Sequence, residues 1–169
     1  MQIDVREPRP SDLDAVLRIH ADPRTNIHWP QGAVRNIGQA EEVLAVMLRC
    51  WREDGIGYWA VTYGGEESVI GFSGVRVKPA RTSDYFNLYY RYAPEYWGRG
   101  IARDVAGRAL VLAHEFSSER PVIARMRGTN LPSQRVALAI GLTRAGHDSM
   151  GRVLFADRRL YPSLLESLR

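Results

Sequence analysis

In this chain an aromatic run ends at a proline, and two glycines one residue apart follow before a helical pattern begins: Tyr90-Arg91-Tyr92-Ala93-Pro94-Glu95-Tyr96-Trp97-Gly98-Arg99-Gly100-Ile101-Ala102. Aromatic residues favour strands and proline interrupts them. Beyond the glycines, Ile101, Val105, Ala109, Leu112 and Phe116 recur at helical spacing. The stretch reads as strand, glycine loop and helix, which commits the fold to an α/β arrangement. It also predicts chemistry. The first backbone N–H groups of a helix have no partner one turn back, and glycines let a phosphate approach them.

The remaining pattern fits one domain over 1–169. A short strand covers 2–7, where Ile3 and Val5 alternate with polar residues. Ser11-Asp12-Leu13-Asp14 looks like a capped helix start, with Leu13, Val16, Leu17 and His20 on one side. Residues 22–38 read as a loop with room for a short helical turn, and 39–54 as a second helix ended by Gly55 and Gly57. Strands at 58–63 and 68–77 flank the turn Gly64-Gly65-Glu66-Glu67, and a fourth strand covers 86–93. Then come a helix at 100–116, a strand at 121–127, and a helix at 132–140 with Pro132 in its first turn and Gly141 at its end. The last antiparallel pair, 142–148 and 152–157, surrounds Ser149-Met150-Gly151. The order β-α-α-β-β-β-α-β-α-β-β predicts an α/β (α+β) domain with a mixed sheet.

Totals narrow the class. Of 169 residues, 45% are hydrophobic, enough for a core, and no apolar stretch approaches the length of a membrane span. Cys50 is the only cysteine, which excludes a disulfide framework and a cysteine metal cluster. The N-terminal residues lack the basic-then-apolar pattern of a signal peptide, so a cytoplasmic setting is expected, with no membrane partner. The net charge of +4 is too small and too dispersed to predict nucleic-acid binding. Lys78 is the only lysine. The arginine bias suits phosphate and carboxylate contacts, and arginine-favouring codon usage explains it equally well.

A lone Gly-x-Gly is a weak signal. The dinucleotide fingerprint needs glycine where Arg103 stands, and the Walker pattern Gly-Lys-Ser/Thr is absent. The segment Trp97-Gly98-Arg99-Gly100-Ile101-Ala102 resembles the acetyl-CoA loop of the GNAT N-acetyltransferase superfamily, Gln/Arg-x-x-Gly-x-Gly/Ala, with tryptophan at the first position. The wider phrase from Ala93 to Gly100 is similar to the branch that acetylates ribosomal-protein N-termini (the RimJ/RimL type). Asn130-Leu131-Pro132-Ser133 resembles that branch's Asn-x-x-Ser. The resemblance implies a single GNAT-like domain whose mixed, mostly antiparallel sheet splays between its fourth and fifth strands.

It also implies roles. The N–H groups of Gly98, Arg99, Gly100, Ile101 and Ala102 would wrap the coenzyme A pyrophosphate, next to Trp97. Arg99 and Arg103 serve either as phosphate partners or as solvated surface arginines. Backbone groups of Arg91, Tyr92 and Ala93 would lie beside the pantetheine arm, with an N–H of Tyr92 or Ala93 facing the thioester oxygen. Asn130 would bond the pantetheine amides; the alternative is an ordinary turn asparagine. Ser133 would protonate the departing thiolate; the alternative is a residue capping its helix. Tyr89, Tyr90 and Tyr92 are read as strand-forming aromatics.

No strong base stands beside the loop; Glu95, Asp84, His28, His147 and Asp148 are the groups within conceivable reach. An α-amine with a pKa near 8 costs only about 1–1.5 kcal/mol to deprotonate at neutral pH, against about 4–5 for a lysine side chain. The acceptor wall would draw on Asn26, Ile27, His28, Trp29, Tyr85 and the turn at 149–151, with Trp29 and Tyr85 serving equally well as core residues. Arg24, Arg35 and Arg152 would favour an acidic acceptor over a cationic aminoglycoside. The expected activity is acetyl transfer from acetyl-CoA to a primary amine, a protein or peptide N-terminus being favoured over a small molecule, without a metal. A non-catalytic acyl-CoA-binding module is the alternative. Monomer and homodimer are both compatible with the sequence.

Overall fold

Seven strands form one continuous sheet in the order β1-β2-β3-β4-β5-β7-β6. They are β1 (Ile3–Arg6), β2 (Tyr58–Tyr63), β3 (Gly71–Lys78), β4 (Tyr85–Tyr92), β5 (Val122–Met126), β6 (Thr143–His147) and β7 (Val153–Ala156). The helices are α1 (Leu13–Ala21), α2 (Ile37–Asp54), α3 (Ile101–Phe116), α4 (Leu131–Ala139) and α5 (Pro162–Leu168). This computed structural model describes residues 2–158, 160 and 162–168. Every pairing is antiparallel except β4 with β5, so the expected mixed, mostly antiparallel sheet is present.

The helices cover both faces. On one, Val16, Ile19, Leu44 and Met47 from α1 and α2 pack against Tyr58, Ala60 and Phe72 of β2 and β3. Further along that face, Leu164 and Leu168 of α5 pack against Tyr85, Ile123 and Leu154. On the other face, Ala106, Ala109 and Ala113 of α3 and Ala137 of α4 meet Val75, Phe86, Leu88 and Phe155. The small residues of α3 let the helix lie close to the sheet, which places its N-terminus beside the end of β4.

Two features depart from the sequence reading, and the placing of the last hairpin adds to it. The chain enters α1 through a 3-10 turn, Pro10–Asp12, and Asp12 does not cap the helix. Its carboxylate instead takes a two-pronged bond from Arg6, at 2.7 and 2.8 Å, and the Arg9 N–H. The last hairpin joins the sheet through β7, which separates β5 from β6. The sequence reading also lacked α5, whose apolar residues close the open half of the α1/α2 face. The loop over 22–38 contains two 3-10 turns, Pro23–Asn26 and Pro30–Gly32.

Gly71 shows how tightly β3 and the end of β4 are fitted. The Tyr92 ring lies across it, and a Cβ at Gly71 would collide with that ring and come within 2.7 Å of the Arg91 carbonyl. Gly71→Ala should therefore cost about 1–3 kcal/mol in chemical denaturation, because neither the strand nor the buried ring has room to move. A variant as stable as the wild type would contradict this packing.

Candidate active site

The parallel pairing of β4 with β5 runs only through Phe86↔Val122, Asn87↔Ile123 and Leu88↔Ala124. From Tyr89 to Tyr92 the strand pairs with β3 alone, so its other edge opens onto a gap. The ladder decides which groups face that gap. Ala93 N–H donates to Ile70 O at 2.9 Å, and Phe86 N–H donates to Pro121 O at 2.8 Å on the opposite side. Alternation then turns the N–H groups of Tyr89, Arg91 and Ala93 toward β3, and those of Tyr90 and Tyr92 toward the gap. This narrows the expectation for Arg91, Tyr92 and Ala93. Arg91 and Ala93 spend their backbone donors on β3, while Tyr92 N–H faces the gap, joined by Tyr90, which sequence reasoning had treated as a strand former.

Two side chains brace this open edge. Trp97 Nε1–H donates to Tyr92 O at 2.9 Å, folding the glycine loop back onto the strand. Tyr90 O–H donates to Ser133 O at 2.7 Å and fixes the first turn of α4 across the gap. In that turn Asn130 Oδ1 accepts from Ser133 N–H at 3.2 Å. Asn130 is thus the cap, and Ser133 Oγ has no hydrogen-bond partner among the described residues.

At the head of α3, Gly98 and Gly100 have φ of +72° and +77°, a region that side chains strongly disfavour. A Cβ at either would meet open space, so the surface above the loop is free for a ligand. The first N–H of this helix to find a partner is that of Asp104, on Gly100 O. Among the described residues, those from Gly98 to Arg103 have none. A row of bare donors at the positive end of a helix dipole fits a pyrophosphate. Ile101 is buried and anchors the helix start, with Ala102 packed beside it. Arg103 is exposed, whereas Arg99 stacks over the rings of Tyr96 and Tyr63, at 5.3 and 5.8 Å from their centres.

The expected acceptor wall is only partly assembled. His28 Nδ1 lies 3.3 Å from Thr129 Oγ1, linking the loop after α1 to the turn before α4. Trp29 is 41% exposed and lies under the Arg152 guanidinium, joining that loop to the last hairpin. Asn26 is buried and committed to Arg91 and to the carbonyls of His20 and Asp22. Tyr85 packs in the core with α5 and bonds Arg125. Arg24 is engaged with Asp22 and Glu95 and offers no free charge.

The candidate bases fare poorly. Its own backbone N–H and Arg24 hold the Glu95 carboxyl below its usual range, out in solvent. Burial opposes ionisation of Asp148, but the Arg152 N–H and guanidinium outweigh it and hold that carboxyl low as well. Asp84 faces Arg120 at 3.8 Å.

His20 is a buried polar residue that its helical stripe disguised. Its Nδ1 lies 2.9 Å from Val16 O and its Nε2 2.9 Å from Tyr89 Oη. These partners make it a neutral imidazole with the proton on Nδ1 and Tyr89 as donor. Burial, and then the charge of Arg91, push it down to about 4, against the pull of the Val16 carbonyl.

The family model described as acetyltransferase (GNAT) domain matches residues 2–143. The chain belongs to the GNAT acetyltransferase family. It is 35% identical over 77 residues to an uncharacterized N-acetyltransferase of Schizosaccharomyces pombe. That alignment covers 46% of this chain and 39% of the yeast protein. The fold is similar to that of an acetyltransferase from Agrobacterium tumefaciens, with a TM-score of 0.78 and 20% identity over 93% of this chain and 91% of that one. It is also similar to the ribosomal-protein-S5-alanine acetyltransferase of Vibrio fischeri, with a TM-score of 0.75 and 15% identity over 100% and 96% of the two chains. No described helix is long and apolar enough to cross a membrane.

His20 yields a pH prediction. Its pKa is lower folded than unfolded, so between pH 6.5 and about 4 the unfolded chain binds more protons. Its contribution is complete above pH 6.5 and is lost as pH falls through that window. In urea denaturation, the wild type should lose about 2–3 kcal/mol more than His20→Gln between pH 7 and pH 4.5. Equal losses would contradict a buried neutral imidazole.

Proposed function

We propose that this protein transfers an acetyl group from acetyl-CoA to a primary amine, by direct attack while both are bound. The observation that carries this reading is the unpaired edge of β4 ending at a loop of bare N–H groups on α3. The two binding elements are continuous: one takes a strand-like amide arm, the other its phosphates.

Acetyl-CoA supplies an activated acyl group and a thiolate leaving group. The chain's own groups do the rest. Residues 98–103 offer backbone donors to the pyrophosphate, with Arg103 free to approach it from solvent. Tyr90 and Tyr92 present N–H groups to the pantetheine and thioester, and Asn130 stands across the gap. Tyr92 N–H is the donor for the thioester oxygen, where negative charge grows as the amine attacks; a positioned donor contributes about 3–4 kcal/mol at such a point. As the C–N bond forms and the C–S bond breaks, Ser133 Oγ–H passes its proton to the departing sulfur and takes one back from the nitrogen, which loses its second proton as the amide forms. The ammonium proton leaves to water, since Glu95, Asp148 and His20 are each held away from a base's range.

A proton given up to water rather than to a side chain favours an α-amine, which deprotonates at a cost of about 1–1.5 kcal/mol. An α-amine is the group at a protein or peptide N-terminus, and it is also the group on a free amino acid. The fold likeness to a ribosomal-protein-S5-alanine acetyltransferase is in keeping with the first.

Thiol release from acetyl-CoA in the presence of an amine panel tests the proposal. Ser133→Ala should lower kcat about tenfold to hundredfold while leaving coenzyme A affinity unchanged by calorimetry. Tight coenzyme A binding with no thiol release from any amine, and no effect of Ser133→Ala, would make the protein a binding module instead.

A further inference from the structure

On the face of the sheet opposite α3 lies a cleft of about 470 Å³ between the α1/α2 and α5 clusters. Its floor is built from cross-strand neighbours. Arg76 of β3 stands opposite Asn87 of β4, and Lys78 stands opposite Tyr85. Arg125 of β5 reaches over the Tyr85 ring and donates to its hydroxyl. Arg76 Nε and Asn87 Nδ2 both donate to the Tyr58 hydroxyl, at 3.2 and 2.6 Å, which fixes the far side. Leu168 and Ser167 of α5 close the near side.

Among the described residues the cleft lining is cationic and carries no acidic side chain. Among the described residues no carboxylate forms an ion pair with Arg76, Lys78 or Arg125. Arg125 Nε is buried and has no hydrogen-bond partner among the described residues. Burial first, and then the neighbouring charges of Arg76, Arg125 and Arg152, hold the Lys78 ammonium below its usual range. Half-buried like charges with an orphaned donor cost free energy when empty, and an oxyanion relieves all of these costs at once.

Position ties this charge to the gap. Arg125 directly follows Ala124, the last β5 residue paired with β4. On β4, Tyr85, which lines the cleft, lies five residues before Tyr90, about 17 Å at the usual strand rise, and Asn87, opposite Arg76, lies three before it, about 10 Å. With α3 and its loop on the other face, the cleft faces the gap from the side left to the acceptor.

We propose that this cleft binds the carboxylate of the acceptor, so that the preferred substrate is an α-amine carrying at least one further acidic group, either a free amino dicarboxylate or an acidic peptide N-terminus. The inference rests on the acetyl-transfer reading above. Arg76, Lys78 and Arg125 hold the anion, and the amine points up the floor toward Tyr90 and Tyr92. Polyamines and aminoglycosides meet repulsion at the same place.

The test is thiol release with glutamate, glutamine amide, a Glu-Ala-Ala peptide, an Ala-Ala-Ala amide and spermidine, on wild type, Lys78→Met and Arg125→Gln. Glutamate or the acidic peptide should exceed its neutral counterpart about tenfold to hundredfold in kcat/KM, and whichever is higher identifies the source of the anion. Lys78→Met should erase that preference through KM, lowering kcat/KM for the acidic acceptor about tenfold more than for its neutral counterpart. The Lys78 side chain makes no hydrogen bond among the described residues, so this variant stays informative if Arg125→Gln, which loses its hold on Tyr85, fails to fold. A preference for spermidine or neutral amines, or an equal loss with every acceptor, would overturn the inference while leaving acetyl transfer intact. If no amine releases thiol, the transfer reading fails. Calorimetry with N-acetylglutamate then decides the cleft: binding lost in Lys78→Met upholds an anion site, and absent binding overturns it.

Discussion

The rest of this site follows from the point where β4 and β5 stop pairing. A strand in mid-sheet normally satisfies both edges, and an unpaired backbone group is stable only if water, a side chain or a ligand replaces the missing strand. Here the ladder ends at Leu88↔Ala124, and β4 continues to Tyr92 with one bare edge. The strand is long enough to deliver its chain to the α3 loop, so the edge and the phosphate cradle become a single surface. No rearrangement is needed to create a place for an extended, amide-bearing molecule.

Keeping that edge open has a structural cost, which Trp97 and Tyr90 offset. The Trp97 indole takes the Tyr92 carbonyl, leaving its N–H as the group that still points outward. The Tyr90 hydroxyl holds α4 at the far side, so the gap keeps its width and Ser133 keeps its place. The neutral His20–Tyr89 pair performs a related task on the other face, where it satisfies two buried polar groups beside Arg91 without adding charge. The cations on this side, Arg76, Lys78 and Arg125, stand on β3 and β5 and form no ion pair among the described residues.

Much of this was legible in the chain. The period-two runs around Tyr58, Phe72, Leu88 and Ile123 located the central strands, and Ile101, Val105 and Ala109 located α3. Gly98 and Gly100 marked the loop because only glycine adopts those backbone angles easily. Seven-residue α5 escaped notice because Leu164, Leu165 and Leu168 are too few to show a period. The place of β7 between β5 and β6 was also hidden, since a hairpin's local pattern does not say which of its strands meets the sheet. Which strand edge each backbone group faces depends on register, which is why Arg91 and Ala93 were grouped with Tyr92. The cationic cleft gathers Arg76, Lys78 and Arg125 from positions far apart in sequence, while Arg24, equally conspicuous in the chain, is spent on Asp22 and Glu95.

The claim that an unpaired β4 edge and a bare helix start form one coenzyme A surface can be read directly from backbone amides. In 15N-labelled protein, titration with coenzyme A should shift the amides of Tyr90, Tyr92 and residues 98–103 and slow their hydrogen exchange. Ala93, already bonded to Ile70, should be slow to exchange with or without ligand. Binding that protects Ala93 but leaves Tyr92 and the loop unchanged, or shifts confined to another face of the sheet, would contradict the account.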